Sequence, residues 1–340
     1  MDTLKDKILG SLLGAAIGDA MGAATEVRTR EQIIEKFGGL VRDFCTPPED
    51  TFARGGRAGQ VTDDFSFIHC IVMQVLEDRR FTEAGMEKAT LKWGENEYNL
   101  SHFAGPTTRA AILRLRGIEQ PNPCGFLKCD NGQATNGAGM KASPAGLFHP
   151  GDLDAAIDDA VLICKPTHYN NLAISGACAV AAAVSRALVS GDDVDGVIEA
   201  GTYGAREGLK RCGGAAVLAG PNIERRIRLA VQLGREAASM DQAMQDIYEI
   251  IGTGLHIAEA VPSAFGLFAA AEGDAMAAIT AAVNVGNDTD TVASICGSIA
   301  GAYTGAGVFD PHFQRELEAV NGYHFDRLAE DIVRVILQAA

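Results

Sequence analysis

Acidic residues and threonines are concentrated in three short stretches of the chain. The stretches read GDAMGAATE at 18–26, GQVTDDFS at 59–66 and GNDTDT at 286–291. An Asp or Thr directly before an apolar run often caps a helix, because its side-chain oxygen accepts hydrogen bonds from the free N–H groups of the first turn. One cap needs only one side chain, and each stretch supplies more acceptors than that. Helix capping is therefore one interpretation of these stretches, and the surplus of acceptors favours a second one.

The second interpretation is a metal site. Adjacent carboxylates repel one another unless a cation neutralises them. Oxygen ligands without nearby His or Cys favour Mg²⁺, Mn²⁺ or Ca²⁺ over Zn²⁺. Two of the stretches together have enough ligands for a pair of ions, with a shared carboxylate bridging them at about 3.5 to 4 Å. The predicted metal ligands are Thr62, Asp63, Asp64, Asp288, Asp290 and Thr291.

Glu26, in the first stretch, is the candidate for proton transfer. A carboxylate beside a metal pair can act as an acid or base, or orient a water molecule. On spacing alone, a solvated Glu just after a helix end explains the residue equally well. With the two ligands Asp63 and Asp290, Glu26 completes the set for which we predict a catalytic role.

Charge and cysteine content argue against several protein classes. The formal net charge of -15 argues against a general nucleic-acid binder, which needs a clustered basic surface. The eight cysteines include no CxxC pair and no zinc-site spacing, so we expect reduced thiols in a cytoplasmic protein. The uncharged stretches 172–185 and 292–309 are rich in small residues, which predicts buried helices rather than membrane spans.

Helical periodicity dominates the rest of the chain. Leu4, Ile8 and Leu12 share one helix face, and Asp152 precedes a second apolar run in the position of a cap. The pattern predicts an all-α protein of about a dozen helices, with residues 1–340 as a single compact domain. Two segments, 43–61 and 119–151, are rich in Gly and Pro, and we predict irregular loops with a functional role there.

Six stretches, taken in order, resemble the motifs of a known family. They read GSLLGAAIGDAMGAATE, GQVTDDFS, FAGPTTRAAILRLRG, TNGAGMKASPAGLF, KPTHYNNLAISGACAVA and AAVNVGNDTDTVASICGSIAGAYTGA. In this respect the chain, from about residue 7 to residue 307, resembles the ADP-ribosylglycohydrolase family. That family includes dinitrogenase reductase-activating glycohydrolase and the mammalian ADP-ribosyl-acceptor hydrolases. The order of the motifs is specific for the family and much less so for the substrate.

The resemblance implies a fold, a cofactor and a reaction. The fold is an orthogonal multi-helix bundle around two metal ions, Mg²⁺ or Mn²⁺. The reaction is hydrolysis of the glycosidic bond at C1″ of an ADP-ribosyl group on a protein side chain or small conjugate. The six predicted ligands match the family's metal ligands, and Glu26 matches a glutamate near the substrate ribose. The residues implied in substrate binding are Asn136, Gly137, Ala138, Gly139, Met140 and His168.

Three positions depart from the family pattern. Phe65 follows TDD where a small hydroxylated residue is common, Asn287 replaces a Gly, and Lys141 replaces an Arg. We expect Phe65 and Lys141 to alter the pocket. These departures motivate one alternative, a hydrolase of a smaller N-riboside such as a nucleoside. A second alternative is a non-catalytic family member, comparable to the lens crystallin that this family contains.

Other residues have simpler interpretations. We predict that Trp93, the only tryptophan, is a core residue, and that His256 is a buried or partly buried histidine rather than a ligand. Arg54 and Arg57, in the Gly-rich segment before Thr62, have two interpretations, a contact with phosphate or, as we favour, flexible surface arginines.

Overall fold

The fold consists of helices joined by loops. The computed structural model describes residues 2–119, 127, 129–191 and 193–339, and within these ranges no β-strand forms, which confirms the all-α class. The helices α1 to α17 span, in order, Asp2–Thr25, Arg30–Phe37, Asp63–Asp78, Glu83–Trp93, Glu97–His102, Pro106–Leu115, Ser143–Phe148, Leu153–Cys164, Asn171–Val189, Val194–Lys210, Ile223–Glu236, Met240–Asp246, Ile257–Ala270, Ala275–Asn284, Thr289–Thr304, Pro311–Asn321 and Phe325–Ala339.

The pairing of α1 with α15 brings two of the acidic stretches together. A Cβ atom added to Gly14 would lie within 3.0 Å of the carbonyl oxygen of Gly297, and one added to Gly18 would lie equally close to the backbone of Ala293. The two helices therefore touch backbone to backbone. Because Gly14, Gly18 and Gly22 are four residues apart, they share the contacting face. The contact holds the end of α1 beside the start of α15.

Two helices are long and apolar enough to cross a membrane, Thr3–Thr25 and Asn171–Val189. In the fold, 94% and 89% of their most apolar windows are buried. The helix predicted within 172–185 is therefore a core helix of this structure. The burial of this helix follows from its small residues, because Ala and Gly let neighbouring helices pack closely against it.

Segment 43–61 contains no helix and leads into α3, as predicted for a loop. In segment 119–151, residues 120–126 and 128 lie outside the described residues. The later part of that segment differs from the prediction, because it contains the helix α7 as well as two 3₁₀ turns, Asn131–Gln133 and Asn136–Ala138. Pro144 sits in the first turn of α7, where its missing N–H leaves no hydrogen bond unmade.

The aromatic core supports α3. Trp93 is buried, stacks on Phe67 with ring centroids 4.9 Å apart and donates from its indole N–H to Ser66, so the prediction of a core residue is confirmed.

Seven cysteines lie in the described part of the chain and all are free thiols. Cys124 lies outside it.

Candidate metal centre and pocket

Three helix termini meet at one point and bring their carboxylates together. Among the described residues, two groups of three acidic side chains have oxygen atoms that all lie within 4.8 Å of one another. The first group is Asp19, Asp64 and Asp290, and the second is Glu26, Asp288 and Asp290. All five side chains are buried. Asp290 belongs to both groups, which is the arrangement expected of a carboxylate that bridges two cations.

The hydrogen bonding around this cluster fits divalent cations. Asp64 Oδ1 and Glu26 Oε2 are buried without a hydrogen-bond donor in the described structure. Asp288 occupies the N-cap position of α15, yet its side chain makes no capping hydrogen bond. Buried acceptors without donors are costly. An all-oxygen ligand set of this kind suits Mg²⁺ or Mn²⁺. Capping alone therefore accounts for Thr62, which accepts from the backbone N–H of Asp64, and fails for Asp288.

Asp19 holds the start of α3 in place from α1. It accepts hydrogen bonds from the backbone N–H of Thr62 at 2.9 Å, the Thr62 hydroxyl at 2.7 Å and the backbone N–H of Phe65 at 2.9 Å. Asp19 belongs to the first acidic stretch but is not one of the six predicted ligands. Glu26 follows α1 directly, and its backbone N–H still donates to the Gly22 carbonyl oxygen at 3.0 Å. The seven residues from Asp19 to Glu26 therefore span two helical turns and place both on one side of this segment. That spacing could have indicated Asp19 as part of the site.

The remaining predicted ligands lie around the two carboxylate groups. Asp63 belongs to neither group, is partly exposed and lines the adjacent pocket. The Thr291 hydroxyl lies 3.4 Å from Asp64 Oδ2 and also lines the pocket. Thr62 is fully buried, with its hydroxyl donating to Asp19.

A pocket of about 460 Å³ opens above the carboxylates, a volume typical of small-ligand sites. Glu26, Asp63, Asp288 and Asp290 form its acidic side. Of the residues implied in substrate binding, the structure brings four to the pocket. These are Asn136, Gly137, Met140 and His168.

Two residues of that set lie away from the pocket lining. Ala138 is fully buried, and Gly139 packs against Val261, Ile257 and Ile295 in the core. Arg54 is an exposed arginine, as expected, and it also lines the pocket, which keeps a phosphate contact open. The pocket is also lined by Phe52, by Leu255 and by residues 101–109, where α5 is followed by α6. None of these residues was predicted from the sequence to belong to the site. Residues 103–109 belong to the family motif FAGPTTRAAILRLRG, which was the available signal, although no role was predicted for them.

The loop at 252–256 connects the substrate-binding segment to the metal centre. Its Leu255 carbonyl accepts from the backbone N–H of Asn136 at 2.8 Å, and its Thr253 carbonyl accepts from the backbone N–H of Asp288 at 3.0 Å. Asn136 in turn donates from Nδ2 to Asp288 Oδ2 at 2.6 Å. These bonds fix one carboxylate of the cluster relative to the pocket wall.

Two of the residues that depart from the family pattern, Phe65 and Asn287, do not line the pocket. Phe65 is fully buried, with its ring centroid 5.4 Å from that of Tyr323 and 5.3 Å from that of Phe325, and it is not among the pocket residues. The expectation that Phe65 alters the pocket is therefore wrong. Asn287 has φ 67°, a left-handed conformation that Gly adopts freely and Asn tolerates better than most residues.

Burial and mutual repulsion raise the pKa values of the cluster. Burial raises the pKa of Asp19 to about 6 and, together with the neighbouring Asp19 carboxylate, raises that of Asp63 to about 7. Burial is also the main cause of the raised pKa values of Glu26, Asp64 and Asp290, and nearby carboxylates add to it. The folded protein thus resists placing full negative charge here when no cation is bound.

We predict that, in the presence of a chelator, the free energy of unfolding falls as the pH rises from about 6.5 to about 7.5, through the folded pKa of Asp63. A carboxyl group with a raised pKa in the folded state contributes stability below its unfolded pKa of about 4, and this stability is lost as the pH passes through the folded pKa. Asp63, at about 7, titrates in this range. Histidines of the unfolded chain, with pKa values of about 6.5, lose their protons early in this range, so they oppose the decline only near its lower end.

Urea unfolding at several pH values in this range measures the effect. Each proton released on unfolding changes the free energy by about 1.4 kcal/mol per pH unit. Excess Mg²⁺ provides the comparison, since it should abolish or reverse the decline. A stability that rises with pH in the chelated protein would contradict the raised pKa values.

Comparisons with known proteins find relatives that match nearly the whole chain. A family model described as ADP-ribosylglycohydrolase matches residues 1–340. The uncharacterized protein YegU of Escherichia coli K12 is 31% identical over 333 residues, which cover 97% of each chain. The ADP-ribosylhydrolase ARH3 of Homo sapiens is 26% identical over 295 residues, 81% of this chain and 78% of ARH3. A solved structure described as an ADP-ribosylglycohydrolase-related protein complex has a TM-score of 0.71 at 22% identity, covering 99% of this chain and 100% of its own.

Proposed function

This chain belongs to the ADP-ribosylglycohydrolase family, and we propose that it uses two divalent ions to hydrolyse the glycosidic bond at the anomeric carbon of an ADP-ribosyl group. The observation that carries the proposal is the pair of carboxylate groups sharing Asp290 beside the pocket. The ADP-ribosyl group is attached to a protein side chain or to a small conjugate. We also propose that the enzyme works in the cytoplasm.

The carboxylates have two tasks in this proposal. The first task is to hold Mg²⁺ or Mn²⁺, which would fall to Asp19, Asp64, Asp288 and Asp290. Glu26 lies in the second carboxylate group and has the other task, proton transfer. When bound, such ions supply Lewis acidity and anchor oxygen atoms of the substrate. Cleavage of a ribosyl bond passes through an oxocarbenium-like transition state. Carboxylates on one side of the pocket stabilise that developing positive charge.

Glu26 is the residue that handles the proton. Its Oε2 atom has no hydrogen-bond donor, and the residue lines the pocket. A carboxylate in this position can accept a proton from the water that attacks the anomeric carbon. Arg28 keeps the adjacent backbone in place by donating from Nη1 to the Glu26 carbonyl oxygen at 2.9 Å.

The pocket wall next to the carboxylates suits the rest of the substrate. Gly137 lines the pocket at the start of a 3₁₀ turn, where backbone N–H groups lack partners within the turn. Backbone N–H groups of this kind suit the oxygen atoms of a diphosphate. Arg54, on the facing loop, adds a positive charge.

Mass spectrometry of reaction products tests the proposal. The purified protein is incubated with ADP-ribosyl-arginine, an ADP-ribosyl-serine peptide, O-acetyl-ADP-ribose and ordinary nucleosides, each with Mg²⁺, with Mn²⁺ and with chelator. Release of ADP-ribose that requires the metal supports the proposal and identifies the acceptor. Release of ribose from nucleosides alone would replace it with the N-riboside alternative. Bound metal with no product from any substrate would contradict it and favour the non-catalytic alternative.

A further inference from the structure

Lys141 is a buried cation that lies behind the pocket. Its side chain is only 1% exposed, and its Nζ atom sits 4.4 Å from the centre of the Phe67 ring. Nζ donates one hydrogen bond, to Thr167 Oγ1 at 2.7 Å. No carboxylate of the described structure lies within ion-pair distance of it. A buried ammonium group is costly, so its retention calls for a function.

Two further hydrogen bonds extend from Lys141 to the pocket. His168 Nδ1 lies 2.8 Å from Thr167 Oγ1, and His168 Nε2 lies 2.8 Å from Thr135 Oγ1. His168 is 2% exposed, and a Cβ atom on Gly137 would collide with its ring. The ring is therefore held on one face by backbone and at both nitrogens by threonines.

The direction of these bonds follows from the donor at one end. An ammonium group only donates, so Thr167 Oγ1 must accept from Lys141. The single hydroxyl proton of Thr167 is then directed to its other partner among the described residues, His168 Nδ1. Burial lowers the pKa of His168 well below its ordinary value, which keeps the ring neutral with one N–H. That N–H is consequently on Nε2, where it donates to Thr135.

We propose that Lys141 is a positioning residue that fixes the tautomer of His168 and thereby makes the Thr135 hydroxyl a hydrogen-bond donor to the substrate. Thr135 already accepts from His168, and it lines the pocket, so its own proton is directed to a ligand. The complementary ligand atom is an oxygen that only accepts, such as a phosphate oxygen. Thr135 thus becomes a specificity-determining residue next to the segment Asn136–Met140.

Nitrogen-15 NMR of the histidine ring tests the first half of the proposal without any substrate. Ring-nitrogen shifts distinguish the Nε2–H tautomer from the Nδ1–H tautomer, and loss of a resonance in His168→Gln identifies His168 among the seven histidines. We expect the Nε2–H tautomer in the wild type. An Nδ1–H tautomer there would overturn the proposal.

Variants of Lys141 and Thr167 separate positioning from packing. Lys141→Met removes the donor, and Thr167→Val removes the hydroxyl at nearly constant shape. Each should raise the ratio of the Nδ1–H to the Nε2–H tautomer about fivefold, the effect of one net hydrogen bond. Thr167→Ser keeps the hydroxyl and should resemble the wild type. An unchanged ratio in Thr167→Val would contradict the relay even if Lys141→Met fails to fold.

Binding of ADP-ribose tests the second half, which rests on the proposed function. Calorimetry should give a Kd about tenfold higher for Thr135→Val than for the wild type, and a near wild-type Kd for Thr135→Ser. Equal Kd values for the wild type and Thr135→Val would overturn the donor role. Failure of the wild type itself to bind ADP-ribose would contradict the proposed function, whereas the NMR result, obtained without ligand, decides the relay separately.

Discussion

Replacing Asp290 with Asn is expected to lower the rate of ADP-ribosyl hydrolysis by about 1,000-fold or more. Asp290 is the one carboxylate common to both groups, so the substitution weakens both cation sites at once. Divalent ions contribute several kcal/mol to stabilising a charged transition state, and about 4 kcal/mol corresponds to about 1,000-fold in rate. Initial rates of ADP-ribose release at saturating Mg²⁺ or Mn²⁺ measure the loss.

The same variant should be at least as stable as the wild type when a chelator is present. The raised pKa of Asp290 means that its charge opposes folding at neutral pH, and the amide removes that charge with little change of shape. Stabilisation by added metal should largely disappear. Glu49→Gln, which removes an exposed acidic group outside the pocket, is the matched control and should keep both activity and metal response. Activity of Asp290→Asn within tenfold of the wild type would contradict the metal-centre model.

The sequence was sufficient to predict features that depend on neighbouring residues. Helix positions follow from apolar spacing over one or two turns, and the acidic stretches stand out because adjacent carboxylates are unfavourable without a partner. Asp288 and Asp290 are two positions apart in the sequence, so their closeness in space could be predicted. Their role as metal ligands stays a prediction. Family resemblance added the order of the motifs.

Features that depend on distant residues were harder to predict. Asp19 contacts Thr62 and Phe65 across more than forty positions, and only the packing of α1 against α3 shows that these three residues meet. Phe65 was expected at the pocket because it adjoins two acidic residues. In a helix, however, successive residues point in directions about 100° apart, and Phe65 points into the core.

Lys141 also lies elsewhere than the sequence suggested, but it remains connected to the pocket through hydrogen bonds. It was noted only as a departure from an arginine and was expected to change the pocket directly. The structure instead places its side chain behind the pocket wall, one hydrogen bond from Thr167. An effect on the substrate would therefore act through Thr167 and His168, which no local pattern in the sequence could indicate.

Replacing Gly22 with Ala is expected to disrupt the metal centre without removing any ligand. An added Cβ atom would lie within 3.0 Å of the backbone of Thr289 and Asp290. Backbone atoms cannot rotate away as a side chain does, so α1 and α15 must separate. Overpacking of this kind costs about 1 to 3 kcal/mol. The Gly22 carbonyl also accepts hydrogen bonds from the Thr25 and Thr289 hydroxyls, and a shift would lengthen these bonds.

The separation should affect catalysis more than it affects folding. Glu26 lies on the chain after α1 and Asp290 in the first turn of α15, so moving the helices apart separates the two carboxylates. A misplacement of about 1 Å typically lowers a rate by about 100-fold. Gly307→Ala, where a Cβ atom meets nothing within 4 Å, is the control. Thermal unfolding and ADP-ribose release are measured for both variants. If Gly22→Ala keeps full activity and metal-induced stabilisation, the close contact of α1 with α15 is not what positions the site.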